Sequence, residues 1–232
     1  MKFKEKIKLK LFSLLEEDEM YSLTKKEIEA MLIERHTKPV YEKLQKAKVA
    51  IAGLGGLGSH IAVALVRMGV GHLYLVDFDK VDSSNLNRQY YRSCHIGVYK
   101  TKALKEELKE INPWVDVQTN CIRVTEQNAV ELFKEYPIVC EAFDRPAEKA
   151  MLINTLLFQI PSIQIVGASG MAGYKDANQI RTEKVMNRFY LCGDQKNGIE
   201  TGDCLMAPRV MICAGHQANK VLQLLLQEED NE

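Results

Sequence analysis

A glycine-rich turn directly after a short apolar segment is the feature that most restricts how this chain can fold. Residues 49–52, VAIA, suit a buried parallel strand, and GLGGLG at residues 53–58 follows at once. Glycines in such a turn let a phosphate approach the backbone, and the helix that begins there offers free N–H groups and the positive end of its dipole. The sequence therefore predicts a strand, turn and helix that bind a nucleotide. The candidate nucleotide-binding glycines are Gly53, Gly55, Gly56 and Gly58.

The next apolar run indicates which part of the nucleotide the second strand contacts. LYLV at residues 73–76 ends at Asp77, and an acidic residue at this position usually binds the ribose hydroxyls. Up to this point the sequence fits a nicotinamide-dependent oxidoreductase as well as an ATP-binding enzyme.

The polar segment after Asp77 separates these two classes of enzyme. It reads FDKVDSSNLNRQ over residues 78–89 and places amide donors and Arg88 beyond the carboxyl edge of the strand. A dehydrogenase has little use for such groups, whereas a guanidinium forms planar, charge-assisted hydrogen bonds with phosphoryl oxygens. We therefore expect Asn85 and Arg88 to hold the phosphates of a triphosphate. The other candidate nucleotide-binding residues of this segment are Asp79, Ser84 and Gln89.

The rest of the chain alternates apolar strand-like and amphipathic helix-like segments, which predicts a doubly wound, mostly parallel, Rossmann-like α/β sheet. Residues 1–34 are interpreted as a helical N-terminal extension and residues 35–232 as the nucleotide-binding domain. Residues 174–184 fit a strand, and residues 185–205, rich in Gly, Asp and Asn, predict a long mobile loop.

Composition excludes several other classes of protein. The chain has 31 basic and 31 acidic residues, so no net field favours nucleic acid or an anionic membrane. No apolar run reaches spanning length and the N-terminus is too charged for a secretory signal, so we expect a cytoplasmic protein. The six cysteines form no CxxC pair, so no zinc site is expected.

Taken together, the motifs resemble the ThiF/MoeB/HesA family, the bacterial relatives of ubiquitin-activating enzymes. The resemblance rests on GLGGLG, LVDFDKV, SNLNRQ, GVYKT and AFD, and covers roughly residues 35–226. ASGMAGY, FYLCGD and LMAPRVMICAGHQAN are most similar to the short, zinc-less ThiF-like branch of bacterial thiamine biosynthesis. This resemblance implies an ATP-dependent adenylyltransferase that activates the C-terminal Gly-Gly carboxylate of a ThiS-like, ubiquitin-fold sulfur carrier, and a homodimer.

The same resemblance assigns roles to residues outside the nucleotide motif. It implies that Lys100 contacts the ATP phosphates and that Asp144, at the end of a strand, binds Mg²⁺ beside the triphosphate. It also implies that Arg35 reaches the nucleotide of the neighbouring subunit.

The resemblance further implies that a cysteine of the 185–205 segment could form a covalent link to the carrier, and two cysteines there are candidates. These are Cys192 in FYLCGD and Cys204 in GDCLM. Their acidic neighbours Asp194 and Asp203 would raise a thiol pKa, which argues against an activated thiolate and favours inert cysteines.

Three further hypotheses stay open. GLGGLG and Asp77 alone would allow an NAD(P)-dependent oxidoreductase, which SNLNRQ opposes. The chain could be a non-catalytic module that binds ubiquitin-like proteins, which the retained Asp, Arg and Lys set opposes. Related family members also activate a molybdopterin-type carrier, or a carboxylate on tRNA, the latter disfavoured by the neutral net charge.

Overall fold

The computed structural model describes residues 23–198 and 204–226, so most of the predicted N-terminal extension lies outside the described residues. The boundary predicted between residues 34 and 35 falls inside the first described helix. The helices are α1 (Lys25–His36), α2 (Lys38–Lys46), α3 (Gly56–Arg67), α4 (Lys100–Ile111), α5 (Glu126–Phe133), α6 (Pro146–Gln159) and α7 (Ala207–Leu226). The strands are β1 (Lys48–Ala52), β2 (His72–Val76), β3 (Asp116–Asn120), β4 (Ile138–Glu141), β5 (Gln164–Ala168), β6 (Arg181–Met186) and β7 (Phe189–Gly193).

These strands form one sheet in the order β3-β2-β1-β4-β5-β7-β6. All neighbours are parallel except β6, which runs antiparallel to β7. The predicted doubly wound, mostly parallel α/β fold is therefore confirmed. Strand order reverses between β1 and β4, and in such sheets the loops after these two strands diverge and leave a crevice at the carboxyl edge.

Strand β1 shows why the sheet is buried on both faces. Val49 and Ile51 pack into a core cluster with residues of α3, α4 and α7, whereas Ala50 and Ala52 face a second cluster with residues of α5 and α6. All four side chains are fully buried. Because successive strand residues point to opposite faces, a four-residue apolar run is what a strand covered on both sides requires.

The β6–β7 hairpin corrects the sequence-based interpretation of residues 185–205. The prediction of a continuous loop is wrong for residues 185–186, which end β6, and for residues 189–193, which form β7. β7 lies between β5 and β6 in the sheet and pairs in parallel with β5, with Ile165 opposite Phe189 and Ala168 opposite Cys192. The pairing of β7 with β5, more than twenty residues earlier in the chain, cannot be predicted from a local sequence pattern. The apolar run of β7 is also short, and the Gly and Asp residues that follow it favoured a loop.

In the part of the chain that the structure describes, no helix is both long enough and apolar enough to cross a lipid bilayer.

Candidate functional site

A cleft of about 500 Å³ opens at the carboxyl ends of β1, β2, β4 and β5, where the strand order predicts a ligand site. Most of the predicted site residues lie in its wall. Those that line it are Gly53, Gly55, Gly56, Asp77, Asp79, Arg88, Gln89, Lys100 and Asp144.

The glycine turn has two different steric requirements. Gly53 has φ +92°, and a Cβ there would lie 2.8 Å from the Ala142 carbonyl oxygen. A Cβ on Gly58 would lie 1.8 Å from the Gly53 carbonyl oxygen, so Gly58 allows α3 to pack on the turn and does not line the cleft. Helix α3 begins without a side-chain cap. Its first N–H groups are therefore available to an anion in the cleft.

Asp77, the residue after β2, stabilises this turn. Its two carboxylate oxygens accept hydrogen bonds from the backbone N–H groups of Leu54 and Asp79, each at 2.7 Å. Burial raises the pKa of Asp77, and the charge of Lys100 opposes that rise. The predicted contact with a ribose would use the remaining lone pairs of a carboxylate that is already fixed in place.

Lys100 is the first residue of α4 and is buried at the cleft wall. Its Nζ lies 3.1 Å from Oδ2 of Asp79, and its backbone N–H donates to the Asp79 carbonyl oxygen at 2.9 Å. Lys100 and Asp79 are therefore joined by an ion pair and a backbone hydrogen bond, which keep the ammonium group at the carboxyl edge of the sheet beside Asp77.

Arg88 and Asp144 approach the cleft from different sides of the crevice. Arg88 Nη1 donates to the Ser84 carbonyl oxygen at 2.9 Å and to Asn87 Oδ1 at 2.8 Å. Partial burial lowers the pKa of Arg88, and the negative charge of Asp144 opposes that change. Because a guanidinium carries five N–H donors, most of the donors of Arg88 remain available to a ligand.

Ser84 and Asn85 lie on the same segment as Arg88, and their contact with a nucleotide stays a prediction. They belong to a short 3-10 turn, residues 83–85, which the Asp82 side chain caps. In return, Asn85 Oδ1 accepts a hydrogen bond from the Asp82 backbone N–H at 3.1 Å. Neither Ser84 nor Asn85 is among the described residues that line the cleft. Their place in the structure is to build the turn that carries Arg88. Arg35 is exposed on α1 and also lies outside the cleft lining, so its contact with a neighbouring subunit stays a prediction.

Gln89 adds an observation that points to a ligand. Its side chain is buried in the cleft wall, and its Oε1 has no hydrogen-bond partner in the described part of the chain. Buried amide oxygens without a partner are uncommon in folded proteins. A hydrogen-bond donor on a bound molecule would satisfy this one.

Cys192 does not lie in a loop as predicted. It is a fully buried residue of β7, and its Sγ lies 3.4 Å from Oγ1 of Thr182. Burial raises the pKa of Cys192 from 9.0 to about 11. A thiol in this environment has about 100-fold less thiolate at neutral pH than an ordinary one, which opposes a role as a nucleophile.

We therefore expect the six cysteines to divide into two groups by reactivity. Cys94, Cys121 and Cys204 are exposed, whereas Cys140, Cys192 and Cys213 are buried. Titration of the native protein with a thiol reagent, followed by peptide mass mapping, should label the exposed group rapidly and the buried group only after unfolding. Rapid labelling of Cys192 in the native protein would show that the β7 environment is open and would restore it as a candidate.

A buried ion pair beneath the cleft was not predicted from the sequence. Glu141, at the end of β4, is fully buried and accepts from Lys149 Nζ at 3.0 and 3.1 Å. Lys149 also donates to the Ala168 carbonyl oxygen at 2.9 Å, and the Phe143 N–H donates to Glu141 at 2.7 Å. These contacts tie the ends of β4 and β5 together and fix the segment that leads to Asp144. A glutamate at the end of the apolar strand IVCE is the sequence signal that could have revealed the pair.

Arg209 forms a second unpredicted ion pair, next to the cleft-lining residue Val210. It is a buried residue of the first turn of α7 and pairs with the buried carboxylate of Asp194, which follows β7. It also donates to the carbonyl oxygens of Ala172, Lys175 and Asp176. The pair therefore joins α7 to the segments that follow β5 and β7.

Comparisons with known proteins agree on one family. The sequence model of the ThiF family matches residues 29–232. The adenylyltransferase and sulfurtransferase UBA4 of Candida glabrata is 38% identical over 130 residues, which are 56% of this chain and 30% of that protein. The adenylyltransferase and sulfurtransferase uba4 of Aspergillus clavatus is 42% identical over 114 residues, 49% of this chain and 23% of that protein. The chain thus spans less than a third of the length of these relatives.

Solved structures resemble most of the fold. The E. coli tRNA N6-threonylcarbamoyladenosine dehydratase TcdA in complex with ATP superposes with a TM-score of 0.78 at 20% identity, covering 89% of this chain and 97% of that chain. E. coli MccB with succinimide superposes with a TM-score of 0.63 at 25% identity, covering 80% and 58%. At 20% identity the likeness to TcdA concerns the fold alone.

Proposed function

The chain belongs to the ThiF family, and we propose that it is an ATP-dependent adenylyltransferase that activates the terminal carboxylate of a ubiquitin-fold carrier protein. The observation that carries the proposal is the convergence of Arg88, Lys100 and Asp144 on the glycine turn within one cleft. A nicotinamide site would require the turn and Asp77 but not two cations beyond them. A cleft that holds a triphosphate does require them.

The proposed reaction joins the carrier and the nucleotide through phosphorus. One carboxylate oxygen of the carrier attacks the α-phosphorus of ATP, a P–O bond forms, and the bond to the bridging oxygen of pyrophosphate breaks. The products are the acyl adenylate and pyrophosphate. Negative charge builds on the phosphoryl oxygens during the attack. Arg88, Lys100 and the N-terminus of α3 lie in the same cleft as fixed positive groups that would stabilise this charge.

The donor set also fits a magnesium ion bound together with the nucleotide. Within the described residues, no group of three or more His, Cys, Asp or Glu side chains is arranged to hold a metal. Mg²⁺ in nucleotide enzymes is usually held by one or two carboxylates together with phosphate oxygens and waters. Asp144 is an exposed carboxylate of the cleft wall that would supply such a ligand. When bound, the ion would neutralise charge on the phosphates.

Two carrier classes compete within this proposal. The motifs FYLCGD and LMAPRVMICAGHQAN favour a ThiS-like carrier by resemblance. The relatives reported above are named adenylyltransferase and sulfurtransferase and none carries a thiamine name, so we place a molybdopterin-type carrier ahead of the ThiS-like one. We also propose a homodimer in which Arg35 of each subunit reaches the nucleotide of the other.

A tRNA carboxylate is a second candidate substrate. The observation in its favour is the fold likeness along 97% of TcdA, a protein named for its action on tRNA. The neutral net charge of this chain opposes it, since binding of RNA phosphates depends on basic surface.

The test is intact-mass spectrometry of a ThiS-like and a molybdopterin-type carrier, each incubated with this protein, ATP and magnesium. Addition of one adenylyl group to either carrier would support the proposal and select the carrier class. ATP binding with both carriers unmodified and with tRNA consumed in an ATP-dependent reaction would favour the second candidate. ATP binding without adenylation of any acceptor would favour a non-catalytic binding module. Binding of NADH in place of ATP would favour the oxidoreductase hypothesis.

A further inference from the structure

The wall of the cleft carries apolar as well as charged side chains. Arg88, Lys100 and Asp144 bring charge to it, whereas the loops after β2 and β3 add Phe78 and Ile122. These last two side chains are large and apolar but 38% and 37% exposed. Exposed apolar side chains inside a polar cleft mark a surface that a ligand covers, and a flat heterocycle suits it.

Arg123 extends this apolar wall and is held flat against it. Its guanidinium carbon lies 4.1 Å from the centroid of the Phe78 ring, within the range of a cation–π contact. Its Nη1 lies 2.8 Å from Oε1 of Glu148, and Asn128 Nδ2 donates to its carbonyl oxygen at 3.0 Å. These contacts fix the Arg123 backbone and one face and one edge of its guanidinium group. The side chain nevertheless remains 50% exposed in the cleft wall.

The ion pair changes what Arg123 offers a ligand. Glu148 forms an ion pair with the Arg123 guanidinium, and the same carboxylate oxygen lies 3.7 Å from Arg145 Nη1, so this carboxylate pairs with two arginines at the edge of the cleft. A guanidinium whose N–H edge is already paired with a carboxylate offers fewer donors to a phosphate, but its plane still stacks on an aromatic ring. We propose that Arg123, positioned by Phe78 and Glu148, is the residue on which the purine base of the nucleotide stacks. This inference rests on the proposed function, because it takes the ligand to be an adenine nucleotide.

The experiment separates recognition of the base from recognition of the phosphates. Isothermal titration calorimetry of ATP, AMP and inorganic tripolyphosphate is carried out on the wild-type protein and on Arg123→Ala, Arg123→Lys and the control Lys134→Ala. Lys134 forms an exposed ion pair with Glu131 directly after α5 and lies outside the cleft lining. We expect Arg123→Ala to weaken the binding of ATP and AMP equally, by about tenfold, because both nucleotides lose the same stacked base. Tripolyphosphate should bind unchanged, Arg123→Lys should behave like Arg123→Ala, and Lys134→Ala like wild type.

Each other result overturns the inference in a recognisable way. Equal AMP affinity in Arg123→Ala and wild type would show that no base stacks there. Weaker tripolyphosphate binding in Arg123→Ala, restored by lysine, would make Arg123 a phosphate ligand. Failure of the wild-type protein to bind any adenine nucleotide would overturn both the inference and the proposed function. Normal nucleotide binding without adenylation of a carrier would overturn the proposed function alone.

Discussion

Replacing Arg88 by alanine should lower the rate of adenylyl transfer by about 10³-fold while the protein stays folded. Fixed cationic donors that act on a developing oxyanion or phosphoryl charge are typically worth 10² to 10³ in rate, and arginines in phosphoryl transfer reach roughly 10³ to 10⁵. The guanidinium of Arg88 lies in the cleft and uses one nitrogen to hold its own turn. The contact between the Arg88 carbonyl oxygen and His60 Nε2 uses the backbone and survives the substitution.

The measurement is the single-turnover rate of adenylation of the carrier at saturating ATP. Arg67→Ala is the matched control, because Arg67 is an exposed arginine at the end of α3 outside the cleft lining. Arg88→Lys should fall between the two, since it keeps the charge and loses the planar, bidentate geometry. A rate for Arg88→Ala within tenfold of wild type would remove Arg88 from the proposed mechanism.

The fold was predictable because its signals are local. β1, the glycine turn and Asp77 follow one another within thirty residues, and their pattern sets both the parallel sheet and the edge where a ligand binds. β7 was not predictable in the same way. Its five residues are flanked by polar sequence. Its position in the sheet depends on hydrogen bonding to β5, which the spacing of apolar residues does not predict. The buried position of Cys192 follows from that pairing.

The site shows the same division between motif and packing. Arg88 was identified from the polar segment after β2, Lys100 and Asp144 were identified by resemblance, and all three line the cleft. Ser84 and Asn85 belong to the same motif as Arg88 and form a 3-10 turn that Asp82 caps, and short polar side chains of such a turn look the same in sequence as ligand donors. Arg209 lies in the motif LMAPRVMICAGHQAN, but the motif assigns it no role. Its role depends on carbonyl groups more than thirty residues away.

The largest effect on stability is expected at Arg209. The Arg209→Met variant keeps a side chain of similar volume but leaves the buried Asp194 carboxylate without its cation and three carbonyl oxygens without their donor. Breaking a buried ion pair from one side typically costs about 3–5 kcal/mol. For a chain of this size that corresponds to a fall in Tm of roughly 10 °C. Arg181→Met, which removes an exposed pair with Glu183, should change the free energy of unfolding by less than about 0.5 kcal/mol.

The dependence of this loss on pH identifies its cause. Burial alone would raise the pKa of Asp194, but hydrogen bonds from Asn197 and Lys196 and the charge of Arg209 hold it below its usual value of 3.8. A carboxyl whose folded pKa is depressed stabilises the protein above its unfolded pKa, and this contribution is lost as the pH falls through the folded pKa. Urea unfolding should therefore show the full difference between wild type and Arg209→Met at pH 7 and a smaller one below about pH 4. Adding Asp194→Asn to Arg209→Met should recover part of the loss at pH 7, because no buried charge is then left unpaired. A melting temperature of Arg209→Met within about 2 °C of wild type, or a difference that does not change with pH, would show that the segments after β5 and β7 are held by other contacts.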